Sequence, residues 1–104
     1  MDKKCVFVID DEKDFLEKCL RLITKQGYAC LTESDPEKAI ERIGAERPDI
    51  VLTDLKMPKK DGIEVLKEAK KIDPEIIVIL LTGYATVQSA VEAIKEGAFD
   101  YIQK

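Results

Sequence analysis

The stretch VFVIDDE, residues 6–12, joins an unbroken apolar run to three consecutive carboxylates, Asp10, Asp11 and Glu12. Its apolar half predicts a strand that helices bury on both faces, as in a parallel sheet. Like charges this close repel one another, and burial near a strand end raises the cost of each charge. The stretch therefore predicts a parallel strand with a positively charged partner at its carboxyl end.

Short apolar runs alternate with longer amphipathic segments along the rest of the chain, which is typical of parallel strands joined by crossover helices. The sequence predicts an α/β fold of the order β-α-β-α-β-α-β-α-β, a doubly wound parallel sheet. The strands are expected at Cys5 to Ile9, Tyr28 to Thr32, Ile50 to Thr53, Ile76 to Leu81 and Phe99 to Ile102.

Capping residues and the helical spacing of apolar residues predict the four helices. The first ends at Gly27, and the second has Asp35 as its N-cap with Pro36 at its first position. The third begins after Asp61-Gly62. The fourth begins near Thr86, ends at Gly97, and is expected to bury Val87, Ala90, Val91 and Ile94.

The composition fits one domain spanning residues 1–104, with 45% hydrophobic and 37% charged residues. Seventeen basic and 21 acidic side chains give a net charge of −4, which argues against binding to nucleic acid or to an anionic membrane. No apolar run is long enough to span a bilayer and the N-terminus lacks a signal-peptide pattern, so the expected location is the cytoplasm.

The last predicted strand ends two residues before the final Lys104. The predicted fold therefore has no fifth helix over the sheet face that the first helix covers only in part. Either the domain is truncated at its C-terminus, or a partner covers that apolar face.

Ligands of such a sheet bind beyond the carboxyl ends of the strands, at the point where the strand order reverses. Asp10 and Asp11 follow the first strand and Asp54 follows the third, and the strand order 2-1-3-4-5 makes these two strands neighbours. A cluster of carboxylates without Cys or His selects a hard cation, and so few protein ligands suit Mg²⁺ better than Ca²⁺. The predicted positive partner is therefore a magnesium ion.

Thr82 and Lys104 follow the fourth and fifth strands, at the same edge of the sheet. A carboxylate nucleophile, a metal, a hydroxyl donor and an ammonium group are together what a transferring phosphoryl group needs. The pattern indicates phosphoryl-transfer chemistry.

The chain resembles the receiver domains of two-component response regulators over essentially its whole length. The matching positions are, in order, Asp10-Asp11, Asp54 with Pro58 four residues later, Asp61-Gly62, Thr82-Gly83, and Tyr101 three residues before Lys104. The sequence of residues 82–104 also resembles that of the receivers of sigma-54-dependent transcriptional activators. The resemblance implies a flavodoxin-like sheet of order 2-1-3-4-5, here with the fifth helix missing.

By this resemblance, Asp54 accepts a phosphoryl group from a sensor histidine kinase and forms an acyl phosphate. Asp11, Asp54 and the backbone carbonyl of Lys56 hold Mg²⁺ directly, whereas Asp10 holds it largely through water. The resemblance implies a signalling switch that promotes its own phosphorylation and dephosphorylation, not a turnover enzyme.

The resemblance also implies how the signal is passed on. Lys104 pairs with the phosphoryl oxygens, Thr82 moves to hydrogen-bond one of them, and the ring of Tyr101 turns inward. These movements change a protein-binding face that regulates an output domain or a downstream protein. A homodimer formed on activation is a further expected partner.

Three alternatives fit the residues less well. A Mg²⁺-dependent phosphohydrolase of the haloacid-dehalogenase type would need an acid two residues after the nucleophile, where this chain has Lys56. A flavodoxin-like nucleotide binder would need Gly, Ser or Thr in its first loop in place of the acidic DDEKD. A receiver-like module that no longer accepts phosphate would have lost Asp11, Asp54 or Lys104, and all three are present.

Overall fold

The computed structural model describes residues 3–83 and 87–103, without the side chains at positions 87, 89 and 90. Five strands alternate with four helices in this part of the chain, and no helix there has the length and apolar character needed to cross a membrane. The elements are β1 (Cys5–Ile9), α1 (Lys13–Lys25), β2 (Ala29–Glu33), α2 (Pro36–Glu46), β3 (Ile50–Asp54), α3 (Gly62–Ile72), β4 (Ile77–Thr82), α4 (Val87–Lys95) and β5 (Asp100–Gln103).

All strand pairs are parallel, and the sheet order is β2-β1-β3-β4-β5. The end of β1 at Ile9 is in register with Glu33 of β2 and Thr53 of β3. The carboxyl ends of these strands therefore lie at one edge, with the strand order reversing beside β1. The predicted fold and strand order are confirmed.

Alternate residues of β1 enter two different cores, because successive side chains of a strand point to opposite faces. Phe7 and Ile9 belong to the larger core, which also contains buried residues of α2, α3 and α4. Val6 and Val8 pack with Leu16 of α1 in the smaller core. Both faces of β1 are thus covered, as the apolar run predicts.

The predicted helix signals are also found where they were expected. The Asp35 carboxylate accepts a hydrogen bond from the Glu37 amide at 2.9 Å, and the Asp61 carboxylate accepts one from the Glu64 amide at 2.9 Å. Gly97 follows α4 with a φ of 105°, a value that L residues with side chains rarely adopt. Three of the predicted helix boundaries thus coincide with an observed cap or with a glycine of positive φ.

The predicted buried face of α4 is wrong. Val91 and Ile94 are 48% and 52% exposed, whereas Ala93 is fully buried. Apolar residues fill five of the nine positions of α4, so their spacing does not by itself select one face. The small side chain of Ala93 lets the helix approach the sheet closely. The expectations for Thr86 and for the side chains of Val87 and Ala90 lie outside the described residues.

Three strands begin one residue later than predicted, at Ala29, Ile77 and Asp100. Tyr28 instead belongs to the turn that closes α1, since its amide donates to the carbonyl of Ile23 at 3.3 Å. The aromatic side chain that extends the apolar run there is 43% exposed. Sequence hydrophobicity therefore placed this strand start one residue too early.

Candidate functional site

Three carboxylates meet at the carboxyl edge of the sheet. Each of Asp10, Asp11 and Asp54 offers one carboxylate oxygen, and these three oxygens lie within 4.8 Å of one another. Asp10 and Asp54 are buried, whereas Asp11 is exposed. The three predicted metal-ligand side chains thus come together across the junction of β1 and β3.

Backbone hydrogen bonds fix the position of Asp10. Its amide donates to the carbonyl of Glu33 at 3.2 Å, which extends the pairing of β1 with β2 by one residue. Its Oδ1 accepts from the amide of Glu12 at 2.9 Å, at the turn into α1. Asp10 therefore has a structural function at the start of α1 as well as a place in the acidic cluster.

The loop after Asp54 is anchored to the neighbouring strand and to α3. The amide of Leu55 donates to the carbonyl of Leu81 at 2.8 Å, and the amide of Gly62 donates to the carbonyl of Leu55 at 2.7 Å. The Thr53 hydroxyl donates to the carbonyl of Asp54 at 3.1 Å. These contacts hold the backbone on either side of the Asp54 carboxylate.

Gly62 has a role that the sequence did not indicate. A Cβ atom at this position would collide with the carbonyl oxygen of Asp54 and would lie 3.0 Å from the Cα of Leu55. The Asp61-Gly62 pair was expected at the start of the third helix. Asp61 caps α3 there, and Gly62 also makes room for the backbone of Asp54. A glycine directly after the helix cap was the only signal in the sequence.

Three other predicted site residues, Thr82, Tyr101 and Lys56, lie in the described part of the chain. Thr82 is the buried last residue of β4, and its predecessor Leu81 is in register with Asp54. Tyr101 of β5 is half-buried and packs against the larger core, and Lys56 is exposed. Lys104 lies outside the described residues.

The carboxylate cluster fits a divalent metal ion. At Mg–O distances of about 2.1 Å, the ligands of an octahedral Mg²⁺ are about 3.0 Å apart when adjacent and about 4.2 Å apart when opposite. Oxygens that lie within 4.8 Å of one another reach this geometry when they move closer together or when a water takes the place of one of them. Among the described residues, this is the one group of three or more potential metal ligands, and all its atoms are oxygens, which hard cations prefer.

A small cleft of about 160 Å³ opens beside the cluster, lined by Asp11, Ser34, Asp35, Pro36, Pro58 and Lys59. The Lys59 ammonium lies 3.3 Å from the Asp35 carboxylate, so the cleft is bordered by an ion pair. The amide of Glu37, and then the ammonium of Lys59, hold the pKa of Asp35 below its usual value. The sequence analysis did not predict this pair, whose two residues are 24 positions apart in the chain.

Comparisons with known proteins agree with the geometry. The family model described as response regulator receiver domain matches residues 6–104. The chain is 35% identical over 104 residues to the DNA-binding transcriptional regulator NtrC of Proteus hauseri, covering all of this chain and 22% of that protein. It thus spans about a fifth of the length of that curated relative.

Two solved structures share both fold and sequence with the chain. One is a response regulator from Burkholderia pseudomallei with a phosphorylated aspartic acid, a calcium ion and citrate, at 30% identity and a TM-score of 0.92. It aligns with 98% of this chain and 60% of that one. The other is the beryllofluoride-activated NtrC4 receiver domain dimer, at 30% identity and a TM-score of 0.90, with 96% and 83% covered.

The doubly wound sheet places an acidic cluster at its switch point, where the ligands of such sheets bind. The match over residues 6–104 makes the assignment definite, and the chain belongs to the response regulator receiver domain family. It is a signalling domain, and the resemblance predicted from its sequence is confirmed.

Proposed function

We propose that the chain is a phosphoaccepting switch in which Asp54 receives a phosphoryl group from a sensor histidine kinase in a Mg²⁺-dependent reaction. The observation that carries this proposal is the approach of Asp10, Asp11 and Asp54 to within 4.8 Å at the carboxyl edge of the sheet. The phosphorylated aspartic acid and calcium ion of the Burkholderia pseudomallei relative support it.

Asp11, Asp54 and the backbone carbonyl of Lys56 hold Mg²⁺ in this proposal, and Asp10 holds it through water. The ion supplies positive charge that offsets the repulsion between the carboxylates and the incoming phosphoryl oxygens. A carboxylate oxygen of Asp54 forms a bond to phosphorus while the bond from phosphorus to the kinase imidazole breaks. The domain positions both partners of this transfer, and so it promotes its own phosphorylation and, with water as the nucleophile, its dephosphorylation.

The signal leaves the site through Thr82, Tyr101 and Lys104. The Thr82 hydroxyl donates to a phosphoryl oxygen, and the Lys104 ammonium pairs with another. Thr82 stands at the end of β4 and Tyr101 lies in the adjacent strand β5, so a shift at Thr82 reaches Tyr101 through the sheet edge. The half-buried ring of Tyr101 then turns inward and changes the face of α4 and β5.

The partners follow from the relatives. We propose that residues 1–104 act as one receiver domain in the cytoplasm and regulate an output function in transcription, as expected from a relative that is a DNA-binding transcriptional regulator. The dimer formed by the activated NtrC4 receiver supports a homodimer as the activated state. The domain itself makes no direct contact with nucleic acid in this proposal.

Intact mass spectrometry after incubation with Mg²⁺ and a small acyl phosphate donor tests the chemistry. We expect the unaltered chain to gain one phosphoryl group, and we expect no gain in Asp54→Asn or when a chelator removes Mg²⁺. Asp61→Asn is the matched control, since it removes a carboxylate from the same loop but keeps a side chain that can cap α3. A phosphoryl group retained by Asp54→Asn would overturn the assignment of the acceptor.

A further inference from the structure

Lys59 has a strained backbone in the loop that follows Asp54. Its φ is 72°, and the amide of Lys60 donates to the carbonyl of Pro58 at 2.8 Å. A hydrogen bond across three residues with a positive φ at the centre is the rarer and more strained form of the γ-turn. A lysine persists in such a turn only when its surroundings hold it there.

The ion pair with Asp35 links this turn to the opposite loop. One carboxylate oxygen of Asp35 accepts a hydrogen bond from the amide of Glu37, so the start of α2 fixes the orientation of this carboxylate. Its other oxygen lies 3.3 Å from the Lys59 ammonium. The Lys59 side chain is 58% exposed, so the pair contributes little to stability by itself. Its effect is to join two loops that have no chain connection near this point.

Asp35 is in turn tied to the acidic cluster through Glu33. The Glu33 carboxylate accepts from the amides of Ser34 and Asp35 at 3.1 Å each, and Arg42 donates to its other oxygen at 3.3 Å. The Glu33 carbonyl accepts from the amide of Asp10 at 3.2 Å. A continuous series of hydrogen bonds therefore runs from Asp10 through Glu33 and Asp35 to Lys59.

We propose that Lys59 and Asp35 are positioning residues. Their ion pair, called the clasp below, holds the loop after Asp54 against the start of α2 and thereby sets the affinity of the acidic cluster for Mg²⁺. The inference rests on the proposed function, since it needs the metal to bind there. The clasped loop carries the Lys56 carbonyl, and the clasped cleft is lined by Asp11. Neither Lys59 nor Asp35 contacts the metal in this scheme.

Lys59 could affect Mg²⁺ binding through its charge or through its hold on the loop, and the two effects predict opposite changes in Mg²⁺ affinity when Lys59 is replaced. A lysine that acts only through its charge repels Mg²⁺, so its removal would tighten metal binding. A lysine that holds the loop in place weakens binding when it is removed, because the ligands on that loop lose their fixed position. Lys59→Met keeps an unbranched apolar side chain as far as Cε and removes the ammonium group.

Isothermal titration calorimetry of the 104-residue chain with Mg²⁺ at one ionic strength distinguishes the charge effect from the positioning effect. We expect Lys59→Met and Asp35→Asn each to weaken Mg²⁺ binding by about 3- to 10-fold, less than the roughly 10- to 100-fold typical of groups that hydrogen-bond the ligands directly. The double variant should be no weaker than either single one, and Lys59→Arg should restore affinity. Asn at position 35 can still cap α2, so urea midpoints should stay close to that of the unaltered chain.

Lys60→Met is the matched control, because Lys60 lies next to Lys59 but is paired with Glu64 on α3, at 3.8 Å. Lys60→Met removes the same charge and keeps the clasp, so the affinity of this variant for Mg²⁺ should equal that of the unaltered chain or be slightly higher. Equal or tighter Mg²⁺ binding by Lys59→Met would overturn the clasp and leave the proposed function standing. Absence of Mg²⁺ binding by the unaltered chain would overturn the clasp together with the metal chemistry.

Discussion

Gly62 packs directly against the backbone of Asp54. An added Cβ would collide with the Asp54 carbonyl oxygen, which is backbone and cannot rotate away. We expect Gly62→Ala to lower the free energy of unfolding by about 1–3 kcal/mol, the usual cost of overpacking. We also expect slower phosphorylation, because the displaced carbonyl belongs to the acceptor residue. Urea unfolding and the mass assay measure the two effects.

Gly44 is the matched control for this substitution. It lies within α2, and nothing approaches within 4 Å of the position of its Cβ. Gly44→Ala should stabilise the chain by up to about 1 kcal/mol, because alanine is the better helix former. Equal effects at the two glycines would show that close packing under Asp54 is not the cause.

The candidate site was predictable at the residue scale where it depends on strand order. Asp10 and Asp11 follow β1 and Asp54 is the last residue of β3, so parallel topology alone brings them to one edge. Gly62 and Lys59 could not be predicted, since their roles depend on the path of the loop between Asp54 and α3. A γ-turn centred on lysine has no sequence signal, because lysine is not a residue that turns favour.

Helix α4 shows what apolar spacing can and cannot predict about an element. The existence of the helix and its end at Gly97 follow from local signals, and both are observed. Its buried face depends on how closely it approaches the sheet, and the small Ala93 faces the core while Ile94 does not. Spacing would have selected the face only if fewer positions had been apolar.

Substitutions on the two faces of α4 should therefore have unequal effects. Ala93→Leu adds volume to a filled core and should destabilise the chain by about 1–3 kcal/mol. Ile94→Gln replaces a side chain that is 52% exposed and should change stability by about 0.5 kcal/mol or less. Urea unfolding of both variants is the measurement. The reverse order of effects would mean that the originally predicted face is buried after all.

The stability of the whole molecule should depend on the charge of the acidic cluster. Two of its three carboxylates are buried, and all three oxygens lie within 4.8 Å. A pair of unit charges at this distance repels by about 3 kcal/mol at an effective dielectric constant of about 20. The folded chain brings these charges together, whereas the unfolded chain keeps them apart. A cation bound at the cluster should therefore favour the folded chain.

Mg²⁺ should therefore stabilise the unaltered chain. In the Asp54→Asn variant, the free energy of unfolding should no longer depend on Mg²⁺. We expect Mg²⁺ at about 100 times its dissociation constant to raise the free energy of unfolding by about 2.7 kcal/mol. Without Mg²⁺, Asp54→Asn should be more stable than the unaltered chain by about 1–2 kcal/mol, because one charge of the cluster is gone. Urea unfolding with Mg²⁺ and with a chelator measures both differences, and Asp61→Asn, outside the cluster, should match the unaltered chain in both conditions. Two results together would contradict this prediction: an unaltered chain whose free energy of unfolding does not change with Mg²⁺, and an Asp54→Asn variant that is less stable than the unaltered chain. They would show that repulsion within the cluster does not limit the stability of this fold.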